Sequence, residues 1–333
     1  MRSETQFLAQ TGPAGKPGVP TLSIVVPMYN EAEVLPAFFA RLGAVLDGLG
    51  ESYEVICVND GSRDATRELL AAAHARDPRI RVLNFARNFG KETALTAGLD
   101  HARGAAVVPI DADLQDPPEL IAAMLARWRE GCDVVLAVRS DRSTDSRMKR
   151  ATARAFYSVI NRMARIHIPA NAGDFRLMDR RVVDALRTLR ERNRFMKGLF
   201  AWVGFRQCEV HYERPERGAG ASKFNYWRLW NFALDGITGY STVPLRIAGY
   251  LGTLTAVAAM VYGLYLVVRT LVFGVDVPGY ASTMVAVLLL GGVQLTVLGV
   301  IGEYLGRIFE ETKHRPLYIV ESALGFEPDC DAE

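Results

Sequence analysis

The stretch VVPIDADLQDPPEL (107–120) brings Asp111, Asp113 and Asp116 together directly after an apolar run. Like charges repel, and burying a carboxylate is costly unless something compensates it. The cluster is therefore either a solvated turn or a place where a cation offsets the charge. Asp111 and Asp113 stand two positions apart at a strand end, with Gln115 two further on, and alternate residues there converge on one side. Mg2+ and Mn2+ favour hard oxygen ligands, commonly one or two carboxylates plus substrate phosphates. Asp116 and Glu119 have a simpler explanation. Pro117 and Pro118 open a helix, and carboxylates favour its first turn. The spacing thus predicts a divalent-metal site at Asp111, Asp113 and Gln115, suited to a diphosphate-bearing donor.

Two further strings carry possible ligands. In VNDGSRDAT (58–66), Asp60 either accepts hydrogen bonds from a nucleobase or ribose or belongs to an ordinary turn, and Ser62 or Asp64 caps the next helix. In PMYNE (27–31), Asn30 or Glu31 either touches a nucleotide or merely starts a helix.

The elements that must hold these residues are visible in the pattern. LSIVVPMYN, EVICVNDGS, RIRVLNFARN, AAVVPIDAD and DVVLAVRSD are short β-branched runs ending in turn residues. Helical apolar spacing lies between them, at about 31–47, 64–76, 91–102 and 117–130. Near-continuous apolar strands alternating with helices predict an α/β domain with a mostly parallel sheet covered on both faces. Ligands of such sheets bind at the carboxyl ends of the strands. That edge collects Tyr29, Asn30, Glu31, Asn59, Asp60, Gly61, Arg87, Asn88, Asp111, Asp113 and Arg139.

Charge excludes little: the 333-residue chain carries a formal net charge of +2. Its four cysteines, Cys57, Cys132, Cys208 and Cys330, form no CxxC pair and no cluster with histidine. Reduced thiols, with no disulfide framework and no zinc site, are the expectation. Residues 1–20 lack a hydrophobic signal-peptide core and read as a disordered tail. Two segments without charge, 247–268 and 280–301, are each long enough to cross a bilayer. Their connecting loop holds one arginine and one aspartate, while Lys223, Arg228, Arg246, Arg307, Lys313 and Arg315 lie on the outer flanks. The positive-inside rule puts both ends and the preceding domain in the cytoplasm. The aromatic, basic stretch before the first span (223–246) suggests an amphipathic helix at the interface.

Six strings now stand in order: VVPMYNEAEVL, VNDGSRDAT, NFGKETALTAGLDHA, DADLQDPPEL, NAGDFRLMDRRVVDAL and GASKFNYWRLWNFALDGI. Together they resemble glycosyltransferase family 2, within it the polyprenyl-phosphate hexosyltransferases such as bactoprenol glucosyltransferases and, more distantly, dolichol-phosphate mannose synthase. The resemblance covers about 21–315. It implies a GT-A fold (Rossmann-like, mostly parallel) over 21–222, then juxtamembrane helices (223–246), a two-helix transmembrane hairpin and a cytoplasmic tail (302–333). It further implies a nucleoside-diphosphate sugar donor, a UDP-sugar by preference, a Mg2+ or Mn2+ cofactor, an inverting mechanism and a homo-oligomer, with no nucleic-acid partner. By the same resemblance Pro27, Tyr29, Glu31 and Asp60 belong to the nucleotide pocket, and Asp111, Asp113 and Gln115 surround metal and diphosphate. Asp174, with Arg176, matches a position near the sugar, where an aspartate binds a hydroxyl or forms a structural ion pair.

The acceptor so implied, a polyprenyl (undecaprenyl) phosphate, is ionised near neutral pH and needs no general base. Arginine suits bidentate phosphate contacts. Arg139 is the leading candidate, with Arg147, Lys149 and Arg150 either joining it or forming a basic face toward anionic lipid. Arg214, Arg217, Ser222 and Lys223 either close over phosphate or anchor the membrane side. Catalysis would then rest on Asp113, Arg139 and Asp174. A processive polysaccharide synthase shares the fold, but its QxxRW string is absent and only two spans are present. A non-catalytic membrane scaffold or flippase partner is a third reading, against which Asp111, Asp113 and Gln115 argue.

Overall fold

The computed structural model describes residues 19–139, 172–192, 194, 196–212, 241–274 and 279–326. The apolar runs form β1 (Leu22–Met28), β2 (Tyr53–Asn59), β3 (Ile80–Phe85), β4 (Ala106–Pro109) and β5 (Val134–Arg139). β1 pairs in parallel with β2 and with β4, and β2 with β3. Their carboxyl ends therefore share one edge. The strand residues are buried because helices cover the sheet: α1 (Leu35–Leu49), α2 (Thr66–Arg76), α3 (Lys91–His101) and α4 (Leu120–Arg129). α1 buries Leu35, Phe38, Leu42 and Leu46, one face at helical spacing. Each such side chain contributes about 1.5–3 kcal/mol when fully buried. Gly50, at φ 66°, ends α1 in the left-handed conformation that glycine takes without strain. α3 packs so closely on β1 that a Cβ at Gly98 would lie 2.1 Å from Val25 Cγ1.

The order of the sheet departs from a simple parallel run. β6 (Ala172–Asp179) inserts antiparallel between β4 and β5, and β7 (Gln207–Tyr212) pairs in parallel outside β5. At the opposite end β8 (Val320–Leu324) pairs antiparallel with β3. The eight strands run β7-β5-β6-β4-β1-β2-β3-β8. Within the segment 302–333, expected as a tail, Val320–Leu324 thus returns to the sheet as an edge strand. α5 (Arg180–Thr188) follows β6, capped by Asp179 accepting from the Arg181 N–H, and α6 (Met196–Trp202) precedes β7.

The reduced-thiol expectation is corrected as well: Cys132 and Cys208 are joined by a disulfide across 6.0 Å between Cα atoms. Their separation of 76 residues concealed the pair. The β5–β7 ladder, in which Val135 faces Cys208, brings them together. Cys57 is free and buried.

The second compact unit is a helical hairpin, α7 (Val243–Phe273) and α8 (Tyr280–Thr312). Both helices are long and apolar enough to cross a membrane and run beyond the expected spans 247–268 and 280–301. Their large side chains face outward: Met260 is 74% and Leu271 81% exposed. In a bilayer those surfaces would meet lipid rather than water. The hydroxyls of Thr253, Thr255 and Thr296 donate back to carbonyls one turn earlier, which keeps them satisfied in hydrocarbon. Arg147, Lys149, Arg150, Arg214, Arg217, Ser222, Lys223 and the juxtamembrane stretch 223–240 lie outside the described residues.

Candidate active site

The carboxyl ends of β1, β2 and β4 and the start of α3 surround a cavity of about 270 Å3. Its wall includes Pro27 near the end of β1, Tyr29 and Glu31 after it, Asp60 after β2, Asn88, Gly90 and Lys91 before and at the start of α3, and Asp111 and Asp113 after β4. The nucleotide-pocket residues expected from the sequence, Pro27, Tyr29, Glu31 and Asp60, are thus brought together. So are the two aspartates of the expected metal site.

The loops that carry these residues are fixed by short polar contacts. Asn30 adopts φ 56°, uncommon outside glycine. Its N–H donates to Ser62 Oγ at 3.0 Å, and its side-chain oxygen accepts from the Arg63 N–H at 2.8 Å. The Glu31 and Ala32 N–H groups donate to Thr66 Oγ1 and Asp64 Oδ2. Ser62 and Asp64 therefore tie the β1 loop to the β2 loop; neither is the N-cap of α2, which is Ala65 without a side-chain cap bond, although Asp64 Oδ1 accepts from the Thr66 N–H at 3.1 Å. Asp60 accepts from the N–H groups of Phe89 (2.6 Å) and Gly90 (2.9 Å). It holds the α3 entrance in place while lining the cavity. Gly61 has φ +66°, and a Cβ there would lie 2.6 Å from the Arg87 and Asn88 backbone. Only glycine lets the two loops approach this closely.

Lys91, in the string NFGKETA, joins the site without having been expected there. Its Nζ lies 2.8 Å from Asp111 Oδ2 and 3.1 Å from Asp174 Oδ2. A lysine on the first turn of a helix opposes the helix dipole, and that misplacement is the sequence signal that a carboxylate partner awaits it. Burial works against the Lys91 charge, but Asp111 and Asp174 outweigh it and raise its pKa. Burial raises the pKa of Asp111, with Lys91 opposing. For Asp174 burial is outweighed by Lys91, Lys197 and Arg176, so its pKa is lowered. Glu31 is raised by burial and by repulsion from Asp113, Asp111 and Asp64. The cavity therefore holds negative charge in excess of what Lys91 neutralises.

Asp174 stands on β6, the antiparallel insertion, which carries it to the same edge. Its Oδ1 is buried without a hydrogen-bond partner. Behind it the buried Arg176 donates to Gly173 O and lies 3.9 Å over the Phe200 ring, and burial lowers its pKa to about 10. Glu92 accepts from the Met196 N–H at 3.1 Å. Burial, then Asp174, push its carboxyl up to about 7.

Other expected residues lie elsewhere. Gln115 is not on the cavity wall; its backbone N–H donates to Asp113 Oδ1 at 3.1 Å and steadies that carboxylate. Leu114 between them has φ 55°, a strained turn for a branched residue, in the loop that carries Asp113. Arg139 ends β5, in register with Tyr212. Asp116 belongs to the packing instead: it is buried and accepts from Tyr212 Oη at 2.7 Å. Glu119 forms a two-bonded pair with Arg41.

Among the described residues no group of three or more His, Cys, Asp or Glu forms a ready-made metal cage. Two hard carboxylates beside uncompensated negative charge nonetheless fit a divalent cation whose remaining ligands come from phosphate.

Residues 23–187 match the family described as glycosyl transferase family 2, and residues 243–308 match the GtrB C-terminal hairpin. Both regions stop before β8. An uncharacterized glycosyltransferase of Synechocystis is 56% identical over 92% of this chain and 96% of its own length. A bactoprenol glucosyl transferase of Shigella phage SfV is 51% identical over 90% of this chain and 98% of its own. A prophage bactoprenol glucosyl transferase homolog of Escherichia coli K12 is 49% identical over 90% and 98%. The mostly parallel sheet is the GT-A fold expected from the sequence, the apolar hairpin follows it as expected, and the chain belongs to glycosyl transferase family 2.

Proposed function

We propose that this chain moves one sugar, glucose by our reading, from a UDP-sugar to a polyprenyl phosphate such as undecaprenyl phosphate, with inversion, at the cytoplasmic membrane face. The observation that carries the proposal is the cavity lined by Lys91, Asp111, Asp113, Glu31 and Asp60, whose lysine also pairs with Asp174. It presents fixed acid and base charges at the strand ends, in a chain that also carries a membrane hairpin. Relatives named bactoprenol glucosyl transferases, matched over nearly their whole length, support the lipid acceptor and the glucose.

In this reading Pro27, Tyr29, Glu31 and Asp60 border the nucleotide. Asp111 and Asp113 would hold Mg2+ or Mn2+, which would supply positive charge against the negative charge gathering on the leaving diphosphate. Lys91 holds Asp111 and Asp174 together, and Asp174 serves the sugar side of the site. The acceptor phosphate attacks the anomeric carbon unaided, because it is already anionic near neutral pH. The protein supplies alignment of two anionic groups, with Arg139 on the acceptor side. The basic flanks of the hairpin support the cytoplasmic orientation.

The test is transfer from a panel of labelled nucleotide sugars to polyprenyl phosphate in purified membranes. Glucosyl lipid from UDP-glucose is the expected product. Product from another nucleotide sugar alone would replace the donor, and no lipid-linked product from any would refute the reading.

A further inference from the structure

The strand β8 is more than an edge cover. In register, Asn59 of β2 faces Asn84 of β3, and Asn84 faces Ser322 of β8. Their side chains make a continuous row. Asn84 Nδ2 donates to Ser322 Oγ at 3.1 Å, and Asn59 Nδ2 donates to Asn84 Oδ1 at 2.9 Å. The Ser62 N–H then donates to Asn59 Oδ1 at 3.1 Å, and Ser62 Oγ receives the Asn30 N–H. Both amides are buried, at 2% and 4% exposure, so each bond matters to its neighbour. The row begins at the returning C-terminal segment and ends on the two loops that carry Tyr29, Glu31 and Asp60.

A second connection reaches the same place. Tyr318 stacks on Phe85 with centroids 5.2 Å apart, and Phe85 meets Phe89 edge to face at 5.6 Å. The Phe89 N–H is one of the two that hold Asp60. The Ile319 carbonyl accepts from the Ala86 N–H at 3.1 Å. Two separate routes, one polar and one aromatic, thus run from residues 318–322 to the Asp60 loop.

We propose that Ser322 is a positioning residue for the nucleotide side of the site, and β8 the element that fixes the β1 and β2 loops; this rests on the donor reading above. Ser322 touches no cavity atom. It supplies the acceptor that satisfies Asn84, which orients Asn59, which in turn fixes the Ser62 turn. Arg67, which also donates to Ser322 Oγ at 3.3 Å and pairs with Glu321 at 2.9 Å, holds the strand in this register.

The experiment compares the full-length protein with Ser322→Ala, which removes the acceptor, and Ser322→Thr, which keeps it. Steady-state transfer from UDP-glucose with Mg2+ should show the donor KM of Ser322→Ala raised by about threefold to tenfold. kcat and the KM for polyprenyl phosphate should stay close to the parent, and Ser322→Thr should restore the donor KM. Hydrogen exchange without any ligand should show faster exchange in Ser322→Ala confined to peptides spanning 59–63 and 29–32. Unchanged exchange there, or loosening spread evenly over the sheet, would overturn the proposal. So would a fall in kcat with an unmoved donor KM. If UDP-glucose is not used even by the parent protein, the donor reading fails, and the exchange measurement still decides the role of Ser322.

Discussion

Lys91 and Asp111 meet at 2.8 Å across the mouth of α3 and the end of β4, and the same ammonium reaches Asp174 at 3.1 Å. One cation thereby holds two carboxylates that would otherwise repel. Lys91→Met should leave that repulsion uncompensated and displace both acids. We expect kcat/KM for transfer to fall by about 10²-fold to 10³-fold, the scale of losing one preorganised charge contact. Activity within tenfold of the parent would show that the bridge is incidental.

Glu92 gives the fold a pH dependence. Its carboxyl stands at about 7 in the folded protein, above the usual 4.5, because burial and then Asp174 disfavour the charged form. The folded state therefore binds more protons than the unfolded state between those values, and stability falls as pH rises from about 4.5 to about 7. Glu92→Gln keeps an oxygen for the Met196 N–H and removes the titration. Relative to the parent it should gain about 1–2 kcal/mol at pH 8 and little at pH 5, read from apparent Tm in detergent. Parallel pH profiles for the two proteins would contradict this origin.

The third carboxylate of the acidic string should separate cleanly from the first two. Tyr212→Phe deletes the 2.7 Å donor to the buried Asp116. It should lower stability by about 1–3 kcal/mol while leaving the donor KM unchanged. Asp113→Asn should do the reverse, abolishing transfer with near-parental Tm. A Tyr212→Phe protein of full stability would remove the clasp from the account.

The Cys132–Cys208 bond lies at the start of β5 and β7, away from the carboxyl-end cavity. Cys132→Ser with Cys208→Ser should cost the oxidised protein about 2–4 kcal/mol of stability and leave transfer within about twofold. The pair also reports topology, since a reducing cytoplasm opens such bonds. Alkylation in intact cells before lysis should label both positions if the domain faces the cytoplasm. Persistent protection of both would place it on the oxidising side.

Much of this architecture was legible in the residues. Parallel strands buried on both faces leave continuous β-branched runs, so β1 to β5 and their helices could be placed, and with them the edge that gathers Tyr29, Glu31, Asp60, Asp111 and Asp113. What escaped depended on distant pairing. AGDFRLMD mixes polar and apolar residues, and nothing local says that it inserts between β4 and β5, carrying Asp174 to the site. VESAL lies on an edge, half exposed, after a membrane hairpin, so it looked like tail. Lys91 was in view in NFGKETA, yet its partners come from strands 20 and 83 residues away. Asp116 looked like helix-start acidity because Tyr212, 96 residues on, is invisible to local spacing.

The most direct test is lipid-linked sugar formed from labelled UDP-glucose and polyprenyl phosphate by purified full-length protein, measured with Mg2+, with Mn2+ and with excess chelator, alongside Asp113→Ala. Product is expected with either cation, none with chelator, recovery on restoring the metal, and none from a folded, membrane-inserted Asp113→Ala protein. Undiminished product in chelator, or from Asp113→Ala, would contradict a cation-assisted transfer at the Asp111–Asp113 strand end.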